Sequence, residues 1–470
     1  MQDVIVVLPE ILIASGACLL LLWQSYAGGG SGAISLALLT LLAALIASLA
    51  AEPASAFGGA VQVDGLAGLL RPWMLVVMAL ALLYAHPDLA RRGMPAGEFH
   101  ALALFAGSGM LVLASAASLL SLYLGLELLS LSLYAMVALR RDEPRASEAA
   151  MKYFVLGAIA SGMLLYGMSM LYGATASLLL ADVAAALQAA GEARLGFLFG
   201  LAFVVVGVAF KLGAVPFHMW LPDVYQGAPT ASTLFVASAP KLAAVALLLR
   251  LLDDGLGGLQ ADWRGMLAAL AIASIAVGNV VAIAQTSLKR MLAYSTIAHI
   301  GFLLLGLLPG SADGYAATLF YAVTYALTSA AAFGMLLLLS RSGFEAERIS
   351  DFAGLFRRSP WFAFVMLLVV FSLAGVPPAV GFYAKLSVLR AALQADLLWI
   401  AVAAVLFSVI GAFYYLRLVK TMFFDEPVEQ GGLEAGFGAR CALSINGWAL
   451  LGLGIYPAAL MAACLAAVAG

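Results

Sequence analysis

The chain has 470 residues, of which 64% are hydrophobic and only 10% are charged. Soluble domains carry about 25% charged residues, so the composition excludes a soluble enzyme, a disordered chain and a collagen-like chain. The net charge of −2 gives no basic surface for binding nucleic acid. The apolar residues come in runs of about 20, which is enough to cross a hydrocarbon core of about 30 Å. The sequence therefore predicts a polytopic helical membrane protein.

Apolar segments follow one another along the whole chain, and we predict an all-α fold with about 14 transmembrane helices. Asp3 and Glu10 stand where a signal peptide would carry positive charge, so the first segment is expected to be a retained helix. The predicted spans are 4–24, 33–50, 66–85, 99–116, 118–139, 149–173, 195–226, 229–252, 266–284, 290–308, 313–340, 360–393, 397–423 and 440–468.

Lysine and arginine residues are distributed unequally between the two alternating sets of loops. The odd-numbered loops and their flanks hold fifteen of these cations, and the even-numbered ones hold five. The positive-inside rule places the odd loops in the cytoplasm. We therefore expect a protein of the bacterial inner membrane with both termini on the periplasmic side. The other three cations, Lys211, Lys241 and Lys385, fall inside apolar spans.

Four ionisable residues lie deep in predicted spans: Glu127 in span five, Lys211 in span seven, Lys241 in span eight and Lys385 in span twelve. Each central charge costs about 2.5–3.5 kcal/mol on insertion scales. A scaffold could avoid that cost with leucine, so such residues mark an ion or proton path by default. The alternative interpretation is a set of snorkelling or helix-pairing charges.

Lysine chemistry suits proton transfer within the energy that a membrane supplies. Lowering the pKa of a lysine from about 10.4 to about 7 costs about 4–5 kcal/mol. Moving one charge through about 200 mV involves a similar energy. Making or breaking one carboxylate contact could therefore load or unload a lysine, and we predict that Glu127 is the electrostatic partner of Lys211.

Spans seven and twelve are 32 and 34 residues long and contain Pro216 and the pair Pro377 and Pro378. Proline removes a backbone donor, and irregular backbone at membrane depth is tolerated where it lines protein or a wet cavity. Interrupted spans in two halves indicate an inverted-repeat transporter site; two ordinary kinked helices are the alternative. The expected division is an N-terminal region (residues 1–98), a first repeat of spans four to eight (99–252), an inverted second repeat of spans nine to thirteen (253–423) and a C-terminal helix (424–470).

Three further residues are candidates for secondary proton relays. His218 follows Lys211 by seven residues, which is two turns on one face if the helix continues, and histidine titrates near neutral pH. His299 could link sites laterally, and Lys152 could admit protons at the start of span six. Helix packing explains the histidines equally well, and positive-inside placement explains Lys152. No cysteine pattern, metal-ligand spacing or nucleotide-binding motif is visible, so we expect no cofactor and no metal in this chain.

Five long motifs around these residues resemble the proton-conducting, antiporter-like subunits of respiratory complex I and the related subunits of multisubunit cation/proton antiporters. The motifs are YLGLELLSLSLYAMVAL, KYFVLGAIASGMLLYG, FKLGAVPFHMWLPDVYQGAPT, QTSLKRMLAYSTIAHIGF and GVPPAVGFYAKL. Two details distinguish the chain within this group: we expect no long lateral helix of the subunit L type after span fourteen, and Lys385 stands where the subunit M type has a glutamate.

The resemblance implies fourteen helices, two inverted five-helix repeats and no redox cofactor in this chain. It assigns Glu127 and Lys211 to a charge pair, Lys241 to a central relay and Lys385 to the exit side. It places Lys152 and His218 in a connecting polar axis. Partner subunits would hold FMN, iron–sulfur clusters, NADH and quinone, and the chain would serve a proton-pumping NADH:quinone oxidoreductase. A sodium/proton antiporter subunit and a purely structural scaffold are the alternatives.

Overall fold

The computed structural model describes residues 2–27, 32–188, 194–341, 343–427 and 436–469, and these residues are almost entirely helical. Within the predicted N-terminal and C-terminal regions, residues 1, 28–31, 428–435 and 470 lie outside the described residues. The first half contains α1 (Gln2–Val6), α2 (Leu8–Ala27), α3 (Gly32–Leu49), β1 (Ala54–Ala56), β2 (Val61–Val63), α4 (Gly65–Arg91), α5 (Ala96–Ser115), α6 (Leu119–Val137), α7 (Pro144–Thr175), α8 (Leu180–Gln188), α9 (Arg194–Leu212), α10 (Trp220–Gly227), α11 (Thr230–Ala237) and α12 (Ala239–Leu249). The second half contains α13 (Gln260–Ile283), α14 (Leu288–Leu307), α15 (Ala312–Leu339), α16 (Leu355–Arg358), α17 (Pro360–Ala374), α18 (Val380–Gln394), α19 (Leu398–Phe424), α20 (Phe437–Ile455) and α21 (Ala458–Ala469).

The prediction of an all-α polytopic membrane protein is confirmed. Within the described ranges, twelve helical segments are long and apolar enough to cross a membrane, and the pair α20 and α21, bent by 79°, makes a thirteenth if it is one span. The number is lower than the predicted fourteen because span twelve is two helices, α17 and α18, of 15 residues each. At 1.5 Å per residue neither alone spans about 30 Å.

Both of the overlong predicted spans are interrupted at their prolines. Helix α9 ends at Leu212, and α10 begins only at Trp220, with Pro216 between them. Helix α17 ends at Ala374 and α18 begins at Val380. Proline lacks the N–H that the helix ladder needs and its ring clashes with the preceding turn, so each helix stops one turn before the proline.

Helix α15 forms the centre of the bundle. Every residue from Gly314 to Leu339 is buried, and the helix packs against α4, α11, α12, α14, α17, α18, α20 and α21. A membrane helix that is buried on all sides contacts protein rather than lipid. It therefore lies between the elements that carry the candidate residues.

Loops of the same parity meet at the same end of the bundle. The two short antiparallel strands β1 and β2 lie in the second loop, and Val61 of this hairpin forms a bridge with Ala116 in the fourth loop. At the other end, Ser287 in the ninth loop pairs with Arg348 in the eleventh. This agrees with the alternating topology that was read from the sequence.

Candidate functional site

Lys211 lies in the last turn of α9, where its ammonium contacts hydroxyl groups of α6. Its Nζ donates to Ser130 Oγ at 2.7 Å and to Tyr134 Oη at 3.4 Å. Ser130 in turn donates to the Leu126 carbonyl, so its lone pairs remain free to accept from the lysine. Sequence reasoning missed Ser130, although it stands three residues after Glu127 and so shares a helix face with it.

Glu127 is partly buried on α6 and its Oε1 has no hydrogen-bond partner in the described structure. It makes no ion pair with Lys211 within 4 Å among the described residues, yet the two charges still interact through space. The glutamate therefore influences Lys211 at longer range, while Ser130 is the group in direct contact with it.

Lys241 is a buried residue of α12 whose ammonium donates to a backbone carbonyl. Its Nζ lies 3.0 Å from the Leu212 carbonyl oxygen, at the end of α9, and 5.7 Å from the centre of the Trp220 ring. Leu212 follows Lys211 directly in the chain. Both lysines therefore approach the same helix break, one from within α9 and one from α12.

A row of aromatic side chains lies between these two lysines. Lys211 Nζ lies 5.9 Å from the Tyr134 ring centre, Tyr134 meets Tyr153 edge to face at 4.6 Å, and Tyr153 stacks on Trp220 at 4.5 Å. Cations are attracted to aromatic faces within about 6 Å. Tyr134 and Trp220 thus stabilise the two ammonium groups by cation–π contact, at opposite ends of the row.

Lys385 lies on α18 just after the second helix break. Its Nζ donates to the Ala374 carbonyl and to Ser408 Oγ, both at 3.0 Å, and lies 5.0 Å from the Phe302 ring centre. Gly375 has φ +81°, and a Cβ at that position would stand 2.8 Å from the lysine Cδ. The glycine therefore permits the turn and also leaves space for the lysine side chain.

His299 is buried on α14 with both ring nitrogens in hydrogen bonds. Nδ1 lies 2.6 Å from the Tyr321 hydroxyl and Nε2 lies 3.2 Å from the Tyr415 hydroxyl, which itself bonds to Ser295 at 2.5 Å. A cavity of about 10 Å³ lies beside the histidine and is also lined by Thr328 and Ser372 of the second break. That volume is close to the smallest that holds one water molecule.

A face of hydroxyl side chains on α15 borders this cavity, and sequence reasoning did not identify it. The hydroxyl residues stand at positions i, i+3, i+4, i+7 and i+8, which is one side of a helix. They are Tyr321, Thr324, Tyr325, Thr328 and Ser329. Their spacing within an otherwise apolar span is a signal that the sequence alone could have supplied.

The remaining secondary candidates lie apart from these contacts. Lys152 is 43% exposed and forms ion pairs with Glu148 and Asp223, both at 2.8 Å, beside a cavity of about 270 Å³. Asp223 also pairs with Arg290 at 2.9 Å. His218 lies in the turn between α9 and α10, so the helix does not continue from Lys211 to it.

Lys289, which the loop count treats as a topology signal, is the centre of a buried ionic cluster. Its Nζ lies 3.1 Å from Glu345 and 3.2 Å from Glu347, and Glu345 also contacts Arg92 at 3.2 Å and the Thr230 hydroxyl. Burial alone would raise the pKa of Glu345, but Lys289 and Arg92 outweigh it and lower the pKa to about 2. The cluster joins the ends of α4, α11 and α14 that the loop charges predict to be cytoplasmic.

Two further buried cations occur at the opposite end of the bundle. Arg71 pairs with Glu10 at 2.5 Å, and Arg250 binds both carboxylate oxygens of Asp64, at 2.6 and 2.8 Å, beside a cavity of about 480 Å³. Burial raises the pKa of Asp64, but the hydrogen bond and charge of Arg250 reverse the effect and lower it. Loop counting assigned these arginines to topology only, because a sequence does not reveal which helix ends face protein.

No group of three or more histidine, cysteine or acidic residues in the described ranges could hold a metal ion. The candidate residues are instead organised around hydroxyls and freed carbonyls. In the portion of the chain that the structure describes, no hydrogen bond joins any two of the candidates Lys152, Lys211, Lys241, Lys385 and His299.

Comparisons with known proteins agree with the predicted resemblance. The family profile described as "NADH:quinone oxidoreductase/Mrp antiporter, TM" matches residues 116–411. The chain is 55% identical over 466 residues to NADH-quinone oxidoreductase subunit N of Thiobacillus denitrificans, covering 98% of this chain and 96% of that one.

Solved structures show the same architecture. A chain of respiratory complex I from Thermus thermophilus with bound aureothin is 35% identical, with a TM-score of 0.83 over 97% of this chain and 98% of its own. A chain of the Mrp complex from Dietzia sp. has a TM-score of 0.85 over 98% of this chain and 97% of its own, at 20% identity. At that identity the second similarity concerns the fold alone.

Proposed function

The chain belongs to the NADH-quinone oxidoreductase subunit N family, and from this premise we propose that it is a non-redox membrane-arm subunit that carries protons through Glu127, Lys211, Lys241 and Lys385. One observation supports this most strongly. Each of the three lysines lies at an interruption of a spanning helix, with its ammonium on a hydroxyl or a backbone carbonyl instead of a direct carboxylate. A lysine held by neutral groups is easier to deprotonate than one held in an ion pair.

The proposed path follows groups that can accept and donate protons. Lys211 exchanges with the Ser130 hydroxyl, and the Glu127 charge three residues away tunes its affinity for the proton. Lys241 meets the same break from α12. The hydroxyl face of α15, with His299, then leads towards Lys385. Lys152 and His218 are secondary relays of this path. Lys152 would admit protons from the exposed cluster that it forms with Asp223.

The energy for transfer would come from redox chemistry in partner subunits that hold NADH, FMN, iron–sulfur clusters and quinone. Quinone reduction there would change the field or hydration at one end of the polar axis. Coupling through an axis needs elements with two arrangements, and the breaks at Pro216 and at Pro377 and Pro378 are the candidates. The other membrane-arm and peripheral-arm subunits of the complex, and the surrounding lipid, are the partners that this role requires.

The two breaks also favour the division into two inverted repeats, 99–252 and 253–423, flanked by the N-terminal region (residues 1–98) and the C-terminal region (residues 424–470). Each repeat would contain one interrupted spanning helix. Because five is an odd number of spans, the second repeat would cross the membrane in the opposite orientation to the first. The unequal distribution of loop cations supports a bacterial cytoplasmic membrane, with the odd loops inside and both termini on the periplasmic side.

The test replaces Lys211 by Ala in the complete complex, reconstituted into vesicles. We expect the complex to assemble, NADH-driven proton uptake to fall to background, and coupled NADH oxidation to fall with it. Arg194, at the other end of α9 and 54% exposed in its ion pair with Asp262, provides a matched cation control, because Arg194→Ala should leave proton uptake near the parent level. Normal pumping by Lys211→Ala would remove the main relay from the path.

The second candidate is a subunit of a sodium/proton antiporter, which the joint family description favours. Purification of the tagged chain from its native membrane distinguishes the two functions. Flavin and iron–sulfur absorbance in the purified assembly supports the oxidoreductase, whereas an assembly without either and with sodium-dependent proton exchange supports the antiporter. A structural scaffold predicts that neutralising Glu127 or Lys385 changes assembly only.

A further inference from the structure

The two helix breaks have the same backbone pattern in the same register. Gly213 and Gly375 have φ +85° and +81°, and in each case the glycine N–H bonds to the carbonyls three and four residues earlier. The next N–H bonds to the carbonyl five residues earlier. A proline, Pro216 or Pro378, follows each glycine by three residues.

This register leaves the last helical carbonyl of each segment, that of Leu212 or Ala374, without a helical donor. A helical carbonyl accepts from the N–H four residues later, and the residue four after Leu212 is Pro216, just as the residue four after Ala374 is Pro378. The N–H groups in between are directed elsewhere: Val215, for example, donates to Ser274 Oγ at 2.9 Å. An unpaired carbonyl at membrane depth costs several kcal/mol, so each break needs another donor at this point.

In both breaks that donor is a lysine ammonium. Lys241 Nζ lies 3.0 Å from the Leu212 oxygen, and Lys385 Nζ lies 3.0 Å from the Ala374 oxygen. Lys241 lies on α12, in the span that follows the first break, whereas Lys385 lies on α18, the helix that begins directly after the second break. The shared feature is therefore the freed carbonyl, and the lysine is its partner in each case.

We propose that Pro216 and Pro378 are positioning residues that act through their missing N–H, each freeing one carbonyl to hold a lysine at the helix break. Pro377 does not have this role, because the carbonyl four residues before it, that of Leu373, receives no lysine in the described hydrogen bonds. The inference rests on the proposed function of Lys241 and Lys385 as proton carriers and gives each proline a separate role.

The neighbouring prolines of the second break provide a matched comparison within the assembled complex. Pro378→Ala restores an N–H, which under this proposal competes with Lys385 for the Ala374 carbonyl. Pro377→Ala restores an N–H one residue away. We expect NADH-driven proton uptake to fall about tenfold in Pro378→Ala, which is the effect of one charge-assisted hydrogen bond. Pro377→Ala alters the same break but keeps the Lys385 contact, so its loss of proton uptake should be several-fold smaller.

A third variant separates the missing N–H from the proline ring. Position 378 is filled with the α-hydroxy acid counterpart of alanine, introduced by nonsense suppression, which puts an ester oxygen where the N–H would be. This variant has neither the ring nor the donor, and we expect it to recover most of the proton uptake that Pro378→Ala loses. A role confined to the shape of the turn would leave both variants equally impaired.

The outcomes distinguish this inference from the function on which it rests. If Lys385→Met stops proton uptake while Pro378→Ala behaves like Pro377→Ala, the positioning role is overturned and the proton path stands. If Lys385→Met pumps normally, both are overturned. If the alanine and hydroxy-acid forms of position 378 both fail to assemble, the ring is the required feature and the inference is overturned.

Discussion

Replacing Glu345 by Gln tests the ionic cluster around Lys289. The substitution keeps the size of the side chain and its hydrogen bond to Thr230, but it removes the charge shared by Lys289 and Arg92. The side chain is 18% exposed, so water compensates only weakly for the loss. We expect the folded protein to be destabilised, because the buried Lys289 and the partly buried Arg92 would then each lose a carboxylate.

The magnitude follows from the pKa of Glu345, which is about 2 in the folded protein against an ordinary value of 4.5. A difference of about 2.5 corresponds to about 3 kcal/mol of stability. Because the folded pKa is the lower one, this stability is fully present above about pH 5 and is lost as the pH falls towards 2. Glu347→Gln is the matched control, since the Glu347 side chain is 30% exposed and makes one ion pair, at 3.2 Å, within the described residues.

The assay is an SDS unfolding titration of the purified protein in mixed micelles, performed at pH 7 and again at pH 4. At pH 7, Glu345→Gln should cost about 3 kcal/mol and Glu347→Gln at most about 1 kcal/mol. The deficit of Glu345→Gln should shrink at pH 4, where the parent is already losing the contribution. Equal losses for the two variants, or a deficit that is independent of pH, would refute the assignment.

Two further predictions concern close contacts between helices. Ser130→Ala removes the oxygen 2.7 Å from the Lys211 ammonium and should slow NADH-driven proton uptake about five- to tenfold. Ser132→Ala, which loses a bond to the Leu128 carbonyl of its own helix, should have no effect, and equal rates in the two variants would contradict the role of the Ser130 hydroxyl. Gly278→Ala places a Cβ 2.5 Å from a backbone nitrogen of α14 and should destabilise the protein by about 1–3 kcal/mol in the same SDS titration. Gly265 lies on the same helix as Gly278, and a Cβ at that position would have no neighbouring atom within 4 Å, so Gly265→Ala should not destabilise the protein.

Much of the fold could be predicted because its signals are local. Long apolar runs locate the helices, and a proline inside an overlong run locates a break, as Pro216 does. The number of independent spans was less accessible, because α17 and α18 are each too short to span and only their arrangement decides how to count them. The same applies to the bend between α20 and α21.

The candidate lysines could also be identified from the sequence, because a charge in an apolar run is conspicuous by itself. Their partners could not, because these depend on contacts between helices. The sequence predicts Glu127 as the electrostatic partner of Lys211 but does not indicate Ser130, which is the group in direct contact with the ammonium. An amino-acid sequence does not show directly that the Leu212 and Ala374 carbonyls accept from lysines. It does show a proline four residues after each of them, and that spacing is a usable signal.

The complete burial of α15 has a consequence for biogenesis. This helix leaves the insertion machinery before α17, α18, α20 and α21 have been synthesised, and these are the helices that later cover some of its surface. By then Tyr321, Tyr325 and Ser329 can already reach their partners on α14 and α11, which precede α15 in the chain. Thr328 still lacks its partner Ser372 of α17. Completion of the C-terminal helices therefore closes the side of α15 that carries Thr328, and a nascent chain stopped after α16 would leave that side uncovered.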